Sequence, residues 1–382
     1  MATSYSSPGK GSIVKYIIPL ALLLLAGCAH NYFGVPNADW EARTSGLGES
    51  DLPTSPPSAG EDSPWVASTQ GAWATGINPA GMVNGENWLS GNLTWGNHAQ
   101  NVLNNDLMAQ TTYDTFAYGS RAGLCFKSPR KNWAIGSSVS FPYDFTYSAE
   151  GAGSVADSSG AIGQISLGAA MRFTRQLALG LEADGLWGNQ SLDAHYGAVN
   201  LRENRSYSGF NYGGGLQYRA EAWRHFFLGW GASIKRGDYL DGGALGTFQQ
   251  PPYYVLGIFG SYGIYRVSAE GAYRSWSLTQ VSNPTLAVAY GTFCDELRGG
   301  GAVVFLLGKQ SKVSVGYQRQ SIPLRNDAGF RMFDQRYGVG GGFPAGSKAY
   351  MTLGLWFGNR GDYNRDGQTV SNIIFSVAAT FL

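Results

Sequence analysis

Leu177-Ala178-Leu179-Gly180-Leu181-Glu182-Ala183-Asp184-Gly185-Leu186-Trp187 decides the fold. Leu177, Leu179, Leu181, Ala183 and Trp187 share one parity, and Glu182 and Asp184 share the other. That is the period of a β-strand, whose successive side chains point to opposite faces. The alternation recurs along the chain. Ile165, Leu167, Ala169, Met171 and Phe173 alternate with Gln164, Ser166, Gly168 and Arg172. Phe226, Leu228, Trp230, Ala232 and Ile234 oppose Ser233 and Lys235, and Val267, Ala269 and Tyr273 oppose Arg266, Glu270 and Arg274. Met351, Leu353, Leu355 and Phe357 oppose Thr352 and Gly354, and Ile373 to Phe381 closes the chain the same way.

The connections alternate as well. Tight ones fall at Ser128–Lys131, Thr174–Gln176, Glu221–Trp223, Gly263, Lys309–Ser311 and Pro344–Ser347. Long polar ones fall at His98–Leu107, Glu150–Gly160, Ser191–Arg205, Asp238–Gln250, Gln280–Glu296, Ser321–Phe333 and Asn359–Thr369. Such a rhythm lays out about fourteen strands with both barrel ends on the tight-turn side, as in outer-membrane barrels with short periplasmic turns. The expected fold is all-β: a transmembrane antiparallel β-barrel spanning residues 88–382. A backbone in lipid must pair all its polar groups, and a sheet does so only by closing. Glu182, Asp184, Lys235, Arg266, Glu270 and Arg274 then point into a wet lumen. They read as a mutually paired lumen wall, or as a passage in which Lys235, Arg266 or Arg274 meets a carboxylate head group.

Composition agrees. Charged residues are 14% of the 382, aromatics 14%, and glycines number 55. The net charge of +1 carries no electrostatic footprint for nucleic acid. Mean hydropathy of −0.16 excludes a helical membrane protein. The one long apolar run, Ile13 to Leu25 behind Lys10 and Lys15, reads as a signal peptide over residues 1–27. It ends in Leu25-Ala26-Gly27-Cys28, which resembles a bacterial lipobox and implies acylation of Cys28; ordinary cleavage after Ala29 is the alternative. Residues 28–63 are rich in Pro, Ser, Gly and acidic side chains and read as an extended tether.

Ahead of the first strand, the stretch Ala67 to Met82 contains Asn78-Pro79-Ala80-Gly81 after a run of small residues. It resembles the N-terminal signature of the FadL family, outer-membrane transporters of long-chain fatty acids and aromatic hydrocarbons. The likeness covers Trp65 to Leu382, with Gly358-Asn359-Arg360-Gly361-Asp362 leading into the last strand. It implies that residues 64–87 form a small hatch in the lumen; a plain turn opening at Asn78-Pro79 is the alternative. The Cys28 lipobox and the tether depart from fatty-acid transporters, and similar barrels of the PorV type serve in protein secretion.

Little in the sequence carries chemistry. Asp362-Tyr363-Asn364-Arg365-Asp366-Gly367 matches the first half of an EF-hand loop. Ile373 stands where the bidentate Glu belongs, so Asp362, Asn364 and Asp366 read as an Asx-rich turn more than a Ca²⁺ site. His98, His195 and His225 are scattered, with no readable hydrolase arrangement. Cys125 and Cys294 belong to opposite rims, too far apart for a disulfide. The expectation is a non-enzymatic, cofactor-free barrel in a Gram-negative outer membrane. It would take up hydrophobic small molecules passively and have lipid as its neighbour. The alternative is a structural or secretion-associated barrel that binds periplasmic or secreted protein partners.

Overall fold

The computed structural model describes residues 66–381 apart from residues 86, 131 and 238 and segments 105–106, 117–120, 145–146, 152–153, 197–198, 224–225, 242–246, 250–251, 276–294, 308–310, 326–330, 346–348 and 362–368. Two short 3-10 turns, Gly71–Trp73 and Pro79–Val83, come first. Eighteen extended segments follow: β1 (Leu89–Asn104), β2 (Leu107–Phe116), β3 (Arg121–Lys127), β4 (Trp133–Asp144), β5 (Tyr147–Gly151), β6 (Ser154–Arg172), β7 (Leu177–Tyr196), β8 (Val199–Trp223), β9 (Phe226–Gly237), β10 (Tyr239–Asp241), β11 (Thr247–Gln249), β12 (Tyr253–Tyr262), β13 (Tyr265–Arg274), β14 (Glu296–Leu307), β15 (Ser311–Arg325), β16 (Arg331–Pro344), β17 (Ala349–Gly361) and β18 (Thr369–Phe381).

All pairings are antiparallel, and β18 pairs with β1 from Leu89↔Phe381 to Asn101↔Thr369, which closes the sheet. β2 and β3 both pair with β1, and β4 and β5 both pair with β6, so each couple continues one stave. β9 with β10 and β11 with β12 do the same, leaving a closed barrel of fourteen staves.

The alternation read from the sequence is the alternation of burial. On β7, Leu181 is 72% exposed, whereas Glu182 and Asp184 are 5% and 1% exposed. On β6, Leu167 is 60% exposed and its neighbour Ser166 is buried. The outward apolar run on β7, Leu177 to Trp187, climbs roughly 25 Å for a tilted strand, the height of a membrane's apolar band. Exposed aromatics mark its two edges: Trp88, Trp133 and Phe173 at the tight-turn rim, and Trp187, Tyr212 and Tyr337 on the other side. A lipid-facing Leu181→Arg should therefore cost about 2–4 kcal/mol. Heat-modifiable electrophoretic mobility measures it, and wild-type assembly of that variant would contradict the outward assignment.

Three expected loops are largely strand. β1 runs on to Asn104, β6 begins at Ser154, and the β7–β8 hairpin continues to Tyr196 and Val199. Asp238–Gln250 holds the small β10–β11 hairpin, β15 extends to Arg325, and β17 extends to Gly361. Beyond the membrane no face of a strand meets lipid, so the outward apolar row ends, on β7 at Trp187. Backbone pairing continues because it does not depend on the side chains. Asp193 and Arg202 face each other across that hairpin at 3.4 Å. Most of Gln280–Glu296 lies outside the described residues. So do the tether, Cys28, and Asp362, Asn364 and Asp366. At the tight end, Ser128 and Thr174 hydroxyls accept from the Trp133 and Leu177 amides, and Gly263 turns at φ 57°. Residues 221–223, expected as a turn, are strand, because β8 runs through Trp223.

Candidate functional site: the occupied lumen

The segment Val66–Gly85 lies inside the wall. Pro79 pre-sets φ for the first residue of its 3-10 turn, where no amide hydrogen is needed. Asn78 caps that turn with Oδ1, accepting from the Ala80 amide at 3.3 Å. Its Nδ2 donates to Val66 O at 2.7 Å and to Leu216 O in β8 at 3.2 Å. One amide thus ties the segment's start, its middle and the wall together. Two wall glycines admit this close approach. A Cβ on Gly215 would overlap the Asn78 carboxamide, and one on Gly180 would overlap the Pro79–Ala80 backbone.

Polar side chains of many staves grip the segment's backbone. Val66 N–H donates to Glu270 Oε2 at 2.7 Å. Gly76, at φ 76°, donates its N–H to Glu182 Oε2 at 2.8 Å while its carbonyl accepts from Lys235 Nζ at 2.6 Å. Gln217 Nε2 donates to Ala67 O at 2.9 Å and Thr69 O at 3.1 Å, and Arg219 donates to Ser68 O at 2.8 Å. At the tight-turn mouth Arg172 donates to Val83 O at 2.9 Å, and Lys127 donates to the Asn84 and Gly85 carbonyls. Trp73 Nε1–H reaches Thr380 Oγ1 on β18 at 2.9 Å. Apolar contacts fill the remainder: Ala72, Ala80, Met82 and Val83 pack with Cys125, Ala134 and Ala178 of the wall.

Solved structures share this fold. The CymD monoaromatic hydrocarbon channel aligns with 86% of this chain and 97% of its own, at 13% identity and TM-score 0.57. A Pseudomonas aeruginosa FadL homologue aligns with 92% and 98%, at 10% identity and TM-score 0.59. The fold is that of FadL-type barrels. The Ralstonia pickettii toluene transporter TbuX aligns with 85% and 98%, at 12% identity and TM-score 0.56. No family model matches the sequence, and no curated protein matches it.

Within this FadL-type barrel the charges singled out in the sequence form two groups. In the first, Lys235 Nζ lies 3.1 Å from Glu182 Oε1 and 3.2 Å from Asp184 Oδ2. Glu182 and Lys235 share a register through Gly213 on the stave between them, so no side chain separates them. In the second, Glu270 pairs with Arg298 at 2.7 Å, and Arg274 lies over the Tyr253 ring at 4.5 Å. Arg266 stands apart from both, one residue past the tight-turn start of β13. Glu182, Lys235 and Glu270 each direct a polar atom at the segment's backbone as well as at a charge partner within their own group.

Gln217 and Arg219 carry as much of the grip, Arg298 holds the Glu270 carboxylate that joins it, and sequence reading missed all three. Gln217 and Arg219 obey the inward parity of β8, which was a usable signal. Among the described residues no group of three His, Cys, Asp or Glu could hold a metal ion. An apolar recess of about 1080 Å³ opens on the outer wall among Met171, Leu181, Ile234, Leu256 and Leu297. Behind it Gly180 and Gly215 leave one layer of backbone between lipid and insert.

Cys125 is a free thiol, 2% exposed, with its sulfur 3.5 Å from Met82 O; Cys294 lies outside the described residues. Maleimide should label Cys125 only after denaturation. Rapid labelling of the folded barrel would mean that the insert does not cover it.

Proposed function

We propose that this barrel is an outer-membrane channel for passive uptake of hydrophobic small molecules, of the fatty-acid or hydrocarbon class, in a Gram-negative bacterium. The observation that carries the reading is a fold shared, over nearly its whole described length, with channels named for monoaromatic hydrocarbons and toluene. The occupied lumen supports it. An open water-filled pore suits polar solutes, whereas a barrel filled by Val66–Gly85 admits only what can move between the wall and the insert. The polar grip on that segment makes it a hatch, with Asn78, Pro79, Ala80 and Gly81 at its centre. Passage is downhill, so the residues' work is to bind weakly and exclude water.

Flux into proteoliposomes tests the reading. Toluene or oleate should enter vesicles holding the barrel several-fold faster than empty ones. Equal rates for both compounds would overturn uptake and favour a structural or secretion-associated barrel.

A further inference from the structure

Six tight connections join the staves at one rim: residues 128–132, 173–176, 224–225, 263–264, 308–310 and 345–348. They hold six Lys or Arg and no Asp or Glu, and the nearest acidic residue in sequence, Glu221, belongs to β8. Between strands on the loop side the sign reverses, with six Asp against Arg365 alone. Basic charge is therefore a property of one rim and not of polar connections in general. Lys and Arg placed beside a membrane's apolar core are drawn to anionic lipid head groups.

Two of these cations are neighbours. The β3–β4 turn holds Arg130 and the β6–β7 turn holds Arg175, and the Arg172 N–H fastens one turn to the other by donating to Asn132 O at 2.8 Å. Both arginines are exposed, and neither has an ion partner among the described residues. Exposed Trp133 and Phe173 lie beside them and mark the edge of the apolar band. Going back along the chain by twos, Arg175 is followed by Phe173 and then by Met171, which lines the outer recess.

That recess is continuous with the edge. It starts at Met171 and Leu179, near the tight-turn ends of β6 and β7, and crosses seven staves to Leu297, near the loop-side start of β14. At the spacing of paired strands this is about 29 Å. One acyl chain covers one leaflet, about 15 Å of the hydrocarbon core. The floor is low because Gly214, Ala232 and Gly271 stand in register with the outward Leu181 and Leu256.

We propose that the tight-turn rim binds an anionic phospholipid, its phosphate between Arg130 and Arg175 and one acyl chain lying in the recess that opens at Met171. Charge selects this occupant over a second copy of the barrel. A second copy in the same membrane would bring its own basic rim level with this one, and like charges set side by side oppose contact. The inference rests on the orientation of the fold in a membrane and not on what the channel carries.

Native mass spectrometry of the detergent-solubilised full chain tests it, with phosphatidylglycerol or phosphatidylcholine of the same acyl chains added. The wild-type barrel should hold one phosphatidylglycerol roughly tenfold tighter than phosphatidylcholine. Arg130→Gln together with Arg175→Gln should cut that preference several-fold while heat-modifiable mobility stays as in wild type. Ala232→Phe, which raises the floor of the recess, should weaken both lipids alike. Equal wild-type affinity for the two lipids would overturn the proposal. So would wild-type affinity in the Ala232→Phe variant, or displacement of phosphatidylglycerol by inorganic phosphate at the same concentration, since either would leave the recess without a part in binding.

Discussion

Replacing Lys235 with Met should destabilise the folded barrel by about 3–5 kcal/mol, the cost of removing one partner from a buried charge group. Two carboxylates depend on that ammonium. The Glu182 and Asp184 side chains are each 1% exposed, and Lys235 Nζ stands 3.1 and 3.2 Å from them. Without it, the Arg121 guanidinium alone is left to face two buried carboxylates, and the Gly76 carbonyl loses its 2.6 Å donor. The triple variant Glu182→Gln, Asp184→Asn, Lys235→Met should recover only part of the loss, because it leaves the buried Arg121 guanidinium without the two carboxylates that face it. Asp184→Asn alone should be mild, since Lys235 keeps Glu182. Urea unfolding in detergent, followed by mobility, measures all of these. A Lys235→Met midpoint equal to wild type would show that the ammonium is not their counter-charge.

Gly180→Val should unseat the hatch and leave the barrel standing. The new side chain would occupy the place of the Pro79–Ala80 backbone, which cannot rotate aside. The lipid-facing residues Leu179 and Leu181 are unchanged, and the ladder to β6 and β8 is intact. Two readouts should move together. Conductance in planar bilayers should rise several-fold over wild type, and Cys125 should react with maleimide without denaturant, since its cover includes Met82. If neither moves, the wall can shift to admit a Cβ at 180 and the close approach is not what seats the hatch.

The barrel was legible because membrane physics writes one simple rule into every strand. Leu179, Leu181 and Leu353 had to face lipid, and Glu182 and Asp184 could not. Stave number followed from the alternating turn lengths. The rule stops at the membrane's edge, and there the reading stopped too. Past Trp187 the parity that faces lipid on β7 turns polar, at Asn189, Ser191, Asp193 and His195, and backbone pairing carries the strand on. The hatch was visible as Asn78-Pro79-Ala80-Gly81, whose residue types serve local geometry. Its partners were not visible. Lys235 meets Glu182 only because two registers and a glycine at 213 bring positions 53 residues apart into line. Gln217 is uncharged and sits in no motif, yet it reaches the carbonyls of Val66, Ala67 and Thr69.

Trp73, near the beginning of the described chain, is fastened to Thr380, on its last strand, across 307 residues of sequence. Contacts so distant in sequence form late, since the closure entropy of everything between them comes first. The hatch also touches staves from β3 through β13, so its full seat exists only once the wall around it does. Assembly therefore has a built-in order, with the insert locking after the sheet has closed on itself. A chain that stops short of β18 lacks both the seam with β1 and the hydroxyl that Trp73 requires. Such a truncated product would carry its defect in two places at once, as an open edge and as a loose plug.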